Sequence, residues 1–495
     1  MATETRTPAG AGGDAASGAT RDTEGRRVGP WLWMVGVVIM LAGLLFGYDQ
    51  GVIAGALQGI QSSFDLSTTM SEVIVAWVTL GALFGALIAG TLADRIGRRS
   101  TVLVAAGLFT VGAFIEALAP GTAVLVVGRF TVGFGVGVAS VAAPLYAAEH
   151  APTHLRGRFV STYQLAITIG IFIAYFVDQH LTNDSSWRAM LGVSAVPGIL
   201  LLIAMFPMPD TPRWLVGKGR RDDAAAALHK VRPDVDVDAT LDEIEASARQ
   251  EEADRASWSE VFSKSLRKPL MVGVGLALAQ QLTGINAIIY YANTIFAKAG
   301  FATPADQAAA TTWAVGGVNV LATFIAVAYV DRFGRRPLLL AGLVGMTASL
   351  VTVGCCFHFM DGADTSGAGT GGPTTAGIVT LVALVVFIAS FAFSLGPVVW
   401  TVINEIFPTR VRGRAVAFAT AVNWGAAFLV SQFFLTLIDD LGTSGTFFLF
   451  AAVAVVSYVW IQRKVPETKG RTLEEIEVLW DDDDPVAAQR AAGLL

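Results

Sequence analysis

The stretch E-H-A-P-T-H-L-R-G-R, which runs from Glu149 to Arg158, is spelled again 256 positions later as E-I-F-P-T-R-V-R-G-R from Glu405. A second charged motif is also repeated, because A-D-R-I-G-R-R begins at Ala93 and V-D-R-F-G-R-R begins at Val330. Each half of the chain therefore carries the same two motifs in the same order. Internal repetition of this kind indicates a structural unit that is present twice.

Composition predicts that this unit lies in a lipid bilayer. Of the 495 residues, 54% are hydrophobic and 15% are charged, with a mean hydropathy of +0.58. Soluble proteins carry about 25% charged residues. Twelve apolar runs have the length of about 20 residues that a membrane-spanning helix needs. The predicted spans are 31–57, 73–93, 101–119, 122–146, 158–179, 188–208, 270–298, 310–331, 337–360, 376–404, 414–438 and 443–463.

A long polar stretch separates the first six spans from the last six. The predicted fold class is an all-α membrane protein with two six-helix halves and short cytoplasmic helices. R-R-D-D-A-A-A-A-L-H-K-V and L-D-E-I-E-A-S-A-R-Q-E-E, both in the polar stretch, are strong helix formers with mixed charge. The predicted organisation is a disordered tail over 1–30, a six-helix domain over 31–208, a helical linker over 209–269, a second six-helix domain over 270–463, and a helix with an acidic tail over 464–495.

Lysine and arginine residues predict the orientation of the spans, because they stay preferentially on the cytoplasmic side. If both termini are cytoplasmic, 31 of the 34 Lys and Arg residues fall on that side. The exceptions are Arg129 inside the fourth span, and Arg188 and Lys298 near outer helix ends. We therefore expect a multi-pass protein of the cell membrane with both termini in the cytoplasm.

Both copies of both motifs fall on the predicted cytoplasmic side, so the two halves share one orientation. This is the parallel-repeat plan of the major facilitator architecture. Arginine alone would serve as a membrane anchor, but acidic partners at fixed spacing favour ion pairs that hold the halves together and can still separate. The predicted cytoplasmic gate consists of Asp94, Arg95, Arg98, Arg99, Glu149, Arg156, Asp331, Arg332, Arg335, Arg336, Glu405 and Arg412.

Six further motifs give the chain a family resemblance from about residue 44 to residue 477. They are F-G-Y-D-Q-G-V-I-A-G-A, G-R-F-T-V-G-F-G-V-G, P-D-T-P-R-W-L, Q-Q-L-T-G-I-N-A-I-I-Y-Y, G-P-V-V-W-T-V-I-N-E-I-F-P and P-E-T-K-G-R-T-L-E-E-I-E. In combination they resemble the sugar porter family of the major facilitator superfamily, which includes bacterial proton-coupled sugar carriers and mammalian facilitative glucose carriers. The usual P-E-S-P-R of that family is P-D-T-P-R here.

Two ionisable residues lie inside spans, where their cost makes a functional role the first hypothesis. Asp49 in the first span and Arg129 in the fourth both lie about 10 to 12 Å below the outer surface, so they can pair. A carboxylate beside an arginine stays ionised, whereas one held apart from it in an apolar site takes up a proton more readily. By resemblance, this aspartate couples sugar transport to protons; the alternative is a static ion pair. Glu116, in the third span, is expected to face a lipid interface.

The seventh span carries the polar side chains that a sugar site requires, because amides both donate and accept hydrogen bonds. They are Gln280, Gln281, Asn286, Tyr290 and Asn293. Gln280 is about 15 Å from the inner end of the span, near the bilayer midplane, where substrate sites of such folds lie. Buried amides can alternatively serve only to associate helices. Gly284, and Gly396 with Pro397 in the tenth span, predict breaks that permit bending around substrate.

The resemblance implies a fuller set of sugar contacts. An asparagine at 423, as in the mammalian glucose carriers, favours a hexose such as glucose or galactose over a pentose. The implied sugar-binding residues are Phe46, Gln164, Gln280, Gln281, Asn286, Tyr290, Asn319, Gly396, Trp400, Asn423 and Trp424.

The sequence gives little support to other classes of function. It contains no H-E-x-x-H, P-loop or G-x-S-x-G motif, which argues against an enzyme. Cys355 and Cys356 are adjacent and predict neither a disulfide nor a metal site. We expect no metal, no cofactor and, with a net charge of −6, no nucleic-acid partner; the partners are a monosaccharide, protons and the bilayer, and the protein is expected to be a monomer. The alternatives are a sugar uniporter with the same site and, more remotely, a non-transporting sugar sensor.

Overall fold

The computed structural model describes residues 29–181, 186–253, 257–361, 374–470 and residue 475. Within these segments the secondary structure is helical and contains no strand. The predicted N-terminal tail up to residue 28, and the predicted C-terminal helix and acidic tail apart from residue 475, lie outside the described residues.

Six spans form the first half of the bundle. Spans 1 to 5 are continuous helices, and span 6 is divided at Ser194. Their bounds are Pro30–Phe64, Thr68–Ile96, Arg98–Ala117, Thr122–His150, Thr153–His180, and Trp187–Val193 with Ala195–Met205. Several extend beyond the apolar runs of the sequence because their polar ends continue outside the hydrocarbon region.

The spans of the second half are more interrupted. Their bounds are Arg267–Leu282 with Ile285–Tyr290 and Ala292–Lys298 for span 7, Pro304–Ala310 with the π-helix Thr311–Gly317 and Val318–Phe333 for span 8, Arg335–Asp361 for span 9, Thr375–Phe393 with Leu395–Glu405 for span 10, and Thr409–Lys464 for spans 11 and 12. The last segment folds back at Gly442, whose φ of 73° leaves the helical region. Eleven helical segments are long and apolar enough to cross a membrane, and this break makes twelve spans.

The predicted breaks in spans 7 and 10 are found in slightly different places. Span 7 breaks at Gly284, with φ of 90°, as the sequence suggests. Span 10 breaks at Ser394, before the predicted Gly396 and Pro397. Pro397 falls in the first turn of the following helix, where its missing N–H leaves no intrahelical bond unmade.

Glycines at the two D-R-x-G-R-R motifs form the tight turns between neighbouring spans. Gly97 joins spans 2 and 3 with φ of 95°, and Gly334 joins spans 8 and 9 with φ of 85°. A positive φ of this size favours glycine, which has no Cβ atom. Space is also limited, since a methyl group at Gly97 would meet the carboxylate of Asp210 and one at Gly334 would meet that of Glu467.

Four short helices follow span 6, where the sequence predicts a helical linker. They are Pro212–Gly217, Arg221–Val231, Val237–Ala253 and Trp258–Val261. Arg221 connects two of them, since its guanidinium donates to Asp242 at 2.8 Å and to Glu245 at 2.5 Å. These hydrogen bonds raise the pKa of Arg221.

The linker contacts both halves of the bundle. Trp214 donates its indole N–H to the carbonyl of Asp94 at the end of span 2 (3.0 Å). Glu260, in the last linker helix, pairs with Arg410 at the start of span 11. The linker therefore bridges the ends of the two six-helix units on the side that carries the repeated motifs, which we call the motif side; the opposite side is the far side.

Candidate functional site

A cavity of about 2870 Å³ lies between the two halves and opens on the motif side. Arg213, Glu260 and Arg410 line its mouth, and Ile171 and Ile289 line its inner end. The structure therefore shows the state in which the halves are apart on the motif side.

On the far side the halves are joined by direct hydrogen bonds. Gln58 of span 1 donates to Gln307 of span 8 at 2.8 Å. Glu72 of span 2 accepts from both the backbone N–H and the hydroxyl of Thr436 in span 11, at 2.7 and 2.8 Å. Tyr175 of span 5 donates to a carbonyl in span 7 at 2.9 Å. These contacts separate the cavity from the far side.

Buried amides from spans 7 and 11 form a connected network on the cavity wall. Asn423 donates to Gln280 at 2.8 Å and accepts from Gln281 at 3.2 Å. Gln280 also donates to the carbonyl of Leu395 at 2.7 Å, next to the break in span 10. The side-chain oxygen of Gln281 is buried and has no hydrogen-bond partner among the residues that the structure describes. A network with an unused acceptor can receive a ligand hydroxyl.

Most of the predicted sugar residues meet at this cavity. Tyr290 is 1% exposed and lies behind the wall. Asn293 accepts from Thr311 at 2.6 Å and does not line the cavity, because span 7 is interrupted at Tyr291. The ten that line the cavity are Phe46, Gln164, Gln280, Gln281, Asn286, Asn319, Gly396, Trp400, Asn423 and Trp424.

Aromatic rings complete the wall. Phe46 of the first half and Trp424 of the second lie with ring centroids 5.5 Å apart. Trp400 of span 10 also lines the cavity. Flat rings beside amides offer the two surfaces that a sugar presents, apolar faces and hydroxyl edges.

The buried charges lie close to the cavity, within the first half. The carboxylate of Asp49 is 2.8 Å from the guanidinium of Arg129, and both side chains are almost fully buried. Arg129 also donates to the carbonyl of Ile74 at 3.1 Å. The predicted position of Glu116 is wrong: it is 1% exposed and lies 3.7 Å from Arg129, because the packing of span 3 turns it inward.

Tyr290 and Gln50 connect the buried charges to the cavity. Tyr290 of span 7 lies close to Asp49 and Arg129 and to the side chain of Gln50. Gln50 follows Asp49 in span 1 and lines the cavity. Asp49 of the buried pair and Gln50 of the cavity lining are therefore consecutive residues of span 1. Tyr290 of the other half lies close to both.

Charged groups at the motif side form one network in each half. In the first half Nε of Arg98 lies 3.2 and 3.1 Å from the two carboxylate oxygens of Glu149, and Thr211 donates to Oε2 of that glutamate. Asp210 accepts from the backbone N–H groups of Arg98 and Arg99, at 2.9 and 3.3 Å. Asp210 thus caps the start of span 3.

The second half repeats this network with its own residues. Arg335 binds Glu405 at 3.2 Å, and Thr468 donates to the same glutamate. Glu467 accepts from the backbone N–H groups of Arg335 and Arg336, at 2.9 and 3.1 Å. P-D-T at 209 and P-E-T at 466 are therefore a third repeated motif, visible in the sequence and missed there.

These ion pairs lie within each half. A gate that joins the halves stays a prediction for the state in which the motif side is closed. Among the other predicted gate residues, Asp94 pairs with Arg98, Arg95 and Arg332 are exposed, and the side chains of Arg156 and Asp331 lie outside the described part of the structure. Three arginines donate to backbone carbonyls: Arg99 to Phe206, Arg336 to Gln462 and Arg412 to Phe407.

Comparison with known proteins identifies the family to which this chain belongs. The model of the family described as "Sugar (and other) transporter" matches residues 35–480. The chain belongs to this family, and it is a sugar porter of the major facilitator superfamily and not an enzyme.

Characterised relatives match over nearly the whole chain. The chain is 40% identical over 456 residues to the galactose-proton symporter of Escherichia coli K12, covering 92% of this chain and 95% of the relative. It is 39% identical over 440 residues to the D-xylose transporter of Levilactobacillus brevis, covering 88% and 93%. The inward-open conformation of the E. coli xylose transporter XylE superposes with a TM-score of 0.75 at 30% identity, covering 91% of this chain and all of that structure.

Proposed function

We propose that this protein imports a monosaccharide together with a proton by alternating access. The observation that carries the proposal is the buried Asp49–Arg129 pair, 2.8 Å apart, next to a cavity lined by amides and aromatic rings. Relatives named as galactose-proton and arabinose-proton symporters support proton coupling. The protein resides in the inner membrane as a monomer, with both termini in the cytoplasm, so the cavity opens to the cytoplasm.

The substrate in this proposal is a hexose such as glucose or galactose. The asparagine at 423, as in the mammalian glucose carriers, supports it, and its amide contacts both Gln280 and Gln281 on the cavity wall. A pentose remains the alternative, in line with a relative named as a D-xylose transporter. Hexoses such as glucose and galactose differ from one another by the orientation of a single hydroxyl group. Such a difference changes about one hydrogen bond in a buried site.

Coupling follows from the adjacency of Asp49 and Gln50. Ionised Asp49 holds Arg129 and with it the contact between spans 1 and 4. A proton on Asp49 removes that attraction and changes the electrostatic environment of Tyr290, which belongs to the other half and lies close to Gln50. A sugar bound at Gln50 acts on the same contact from the cavity side. Each ligand therefore changes the binding of the other, as linkage requires.

Proton movement driven by sugar tests the proposal. A panel of hexoses and pentoses is added to lightly buffered vesicles that contain either the wild-type protein or Asp49→Asn, and the external pH is recorded. We expect alkalinisation with at least one sugar for the wild type and none for Asp49→Asn, while downhill exchange of the same sugar persists in the variant.

The other outcomes decide between the alternatives. Saturable sugar uptake without proton movement in the wild type would make the protein a uniporter and the Asp49–Arg129 pair a static one. Binding of a sugar without uptake or exchange would favour a sensor. A response to pentoses alone would contradict the hexose preference.

A further inference from the structure

Glu116 is a buried acidic residue to which the proposed proton symport assigns no role. It lies on span 3 with 1% of its surface exposed, and its Oε1 is 3.7 Å from Nη1 of Arg129, the same nitrogen that binds Asp49. Oε1 of Glu116 and Nη2 of Arg129 are both buried without a hydrogen-bond partner among the described residues. The guanidinium thus has an unused donor, Nη2, and Glu116 has an unused acceptor 3.7 Å from the neighbouring Nη1.

The backbone around Glu116 is shaped to bring it to Arg129. Gly128 precedes Arg129 in span 4, and a methyl group there would lie 2.7 Å from Cγ of Glu116. Any larger residue at 128 would therefore push the glutamate away. Small residues permit this close approach of two membrane helices.

Two carboxylates around one guanidinium change the charge balance of the site. With Asp49 and Glu116 both ionised, the cluster carries one excess negative charge, and one proton makes it neutral. A buried guanidinium left without a partner is strongly destabilising. If Asp49 alone faced Arg129, protonation of Asp49 would leave the arginine in that condition.

We infer that Glu116 is the second carboxylate of the proton-coupling site: it shares Arg129 with Asp49 and takes over the guanidinium when Asp49 binds the proton. The proton comes from water and forms one O–H bond with Asp49; Arg129 keeps its charge and changes partner, and release reverses both steps. Glu116 is thus a positioning residue that makes proton loading possible without an unpaired buried charge. This inference rests on the proposed proton symport.

The other charged and titratable groups around Glu116 come from four spans. Span 1 contributes Asp49 and span 4 contributes Arg129, while span 7 brings Tyr290 near both of them. Arg188 of span 6 lies near the end of span 3, where it donates to the carbonyl of Ala119 at 3.0 Å and lies over the ring of Trp187.

The pH profile of sugar accumulation tests the inference. Full-length wild type, Glu116→Gln and Glu116→Asp are reconstituted into vesicles, and proton-driven accumulation of the sugar found above is measured over a series of external pH values. Without the second negative charge, proton loading needs a higher proton concentration. We expect the profile of Glu116→Gln to move toward lower pH by about one unit or more, the usual effect of a nearby charge, and that of Glu116→Asp to stay close to the wild type.

The outcomes separate this inference from the proposed function. A wild-type protein that moves no protons overturns symport itself. If the wild type is coupled and Glu116→Gln has the same profile, symport stands and the role of Glu116 is overturned. If Glu116→Gln loses accumulation at every pH while sugar exchange persists, the proposed role of Glu116 is supported. If Glu116→Gln and Glu116→Asp both lose accumulation and exchange to the same extent, Glu116 is a structural residue and the proposed role is overturned. If Glu116→Gln does not fold, Gly128→Ala takes its place, because a methyl group at Gly128 would lie 2.7 Å from Cγ of Glu116 and move the glutamate away from Arg129. A profile of Gly128→Ala that is shifted toward lower pH supports the inference, and an unshifted profile overturns it.

Discussion

At the scale of single residues, the side chain of Asn423 orders the amide wall. It donates to Gln280 and accepts from Gln281, and it also donates to the carbonyl of Ala277 at 3.1 Å. Spans 7 and 11 are thereby joined at the depth of the cavity. This asparagine therefore helps to fix the direction of both glutamine side chains.

Asn423→Ala should weaken sugar binding with little effect on the fold. Buried hydrogen bonds of this kind are worth about 1–3 kcal/mol when one partner is left unpaired, or about tenfold in affinity. The measurement is the half-saturating sugar concentration for exchange. Asn404→Ala is the matched control, because Asn404 lines the same cavity and donates to Trp400 of its own helix. Equal effects of both substitutions would contradict the role of Asn423.

At the scale of helices, glycines set the distance between spans 1 and 5. Four of them follow at every fourth position of span 1, at 43, 47, 51 and 55. A methyl group at Gly47 would lie 1.9 Å from the carbonyl oxygen of Ile167 in span 5. The backbones of spans 1 and 5 are in contact at Gly47. Asp49 and Gln50 lie in the same part of span 1. The position of the coupling residues therefore depends on this packing.

Gly47→Val should separate spans 1 and 5 and destabilise the protein. Overpacking costs about 1–3 kcal/mol where neighbours can move, and here the neighbour is backbone. Thermal unfolding of the purified protein in detergent measures the effect. Gly107→Val provides the control, since no described atom outside its own helix lies within 4 Å of a methyl group at Gly107 in span 3. An unchanged melting temperature for Gly47→Val would refute this account of the packing.

At the scale of the whole molecule, close packing on the far side keeps the cavity open to one side only. Besides the hydrogen bonds described above, Gly316 of span 8 packs against span 5. A methyl group at Gly316 would lie 2.9 Å from the ring of Tyr175 and 3.3 Å from the Cα of Phe172. These contacts join the two halves, so they must separate when the cavity opens to the far side.

Gly316→Val should favour the state that is open on the far side. An overpacking cost of about 1.4 kcal/mol in the state described here shifts the equilibrium about tenfold. The readout is labelling of Gln164→Cys in the cavity by a membrane-impermeant thiol reagent from each side, with Cys355 and Cys356 replaced by serine. Gly317→Val is the matched control, because its nearest neighbours are 3.6 Å or more away. Faster labelling from the far side is expected for Gly316→Val alone; identical rates in both variants would overturn the prediction.

The amino-acid sequence by itself determined the architecture. Twelve apolar runs, two repeated charged motifs and the resemblance to sugar porters were sufficient for the fold and the family, because hydrophobic length and motif spacing are properties of the chain read in order. The same reasoning placed Asp49 and Arg129 at equal depth, since depth follows from the rise of a helix.

Only the tertiary structure decided how side chains are directed and what they meet. It turned Glu116 toward Arg129, set Tyr290 behind the cavity wall, moved the break of span 10 to Ser394 and opened the cavity on the motif side. Such features depend on the rotation of each helix about its axis and on contacts between residues far apart in the chain. Apolar runs in a bilayer leave that rotation undetermined, because lipid and protein interior are equally apolar and only packing and buried polar contacts distinguish the faces of a span.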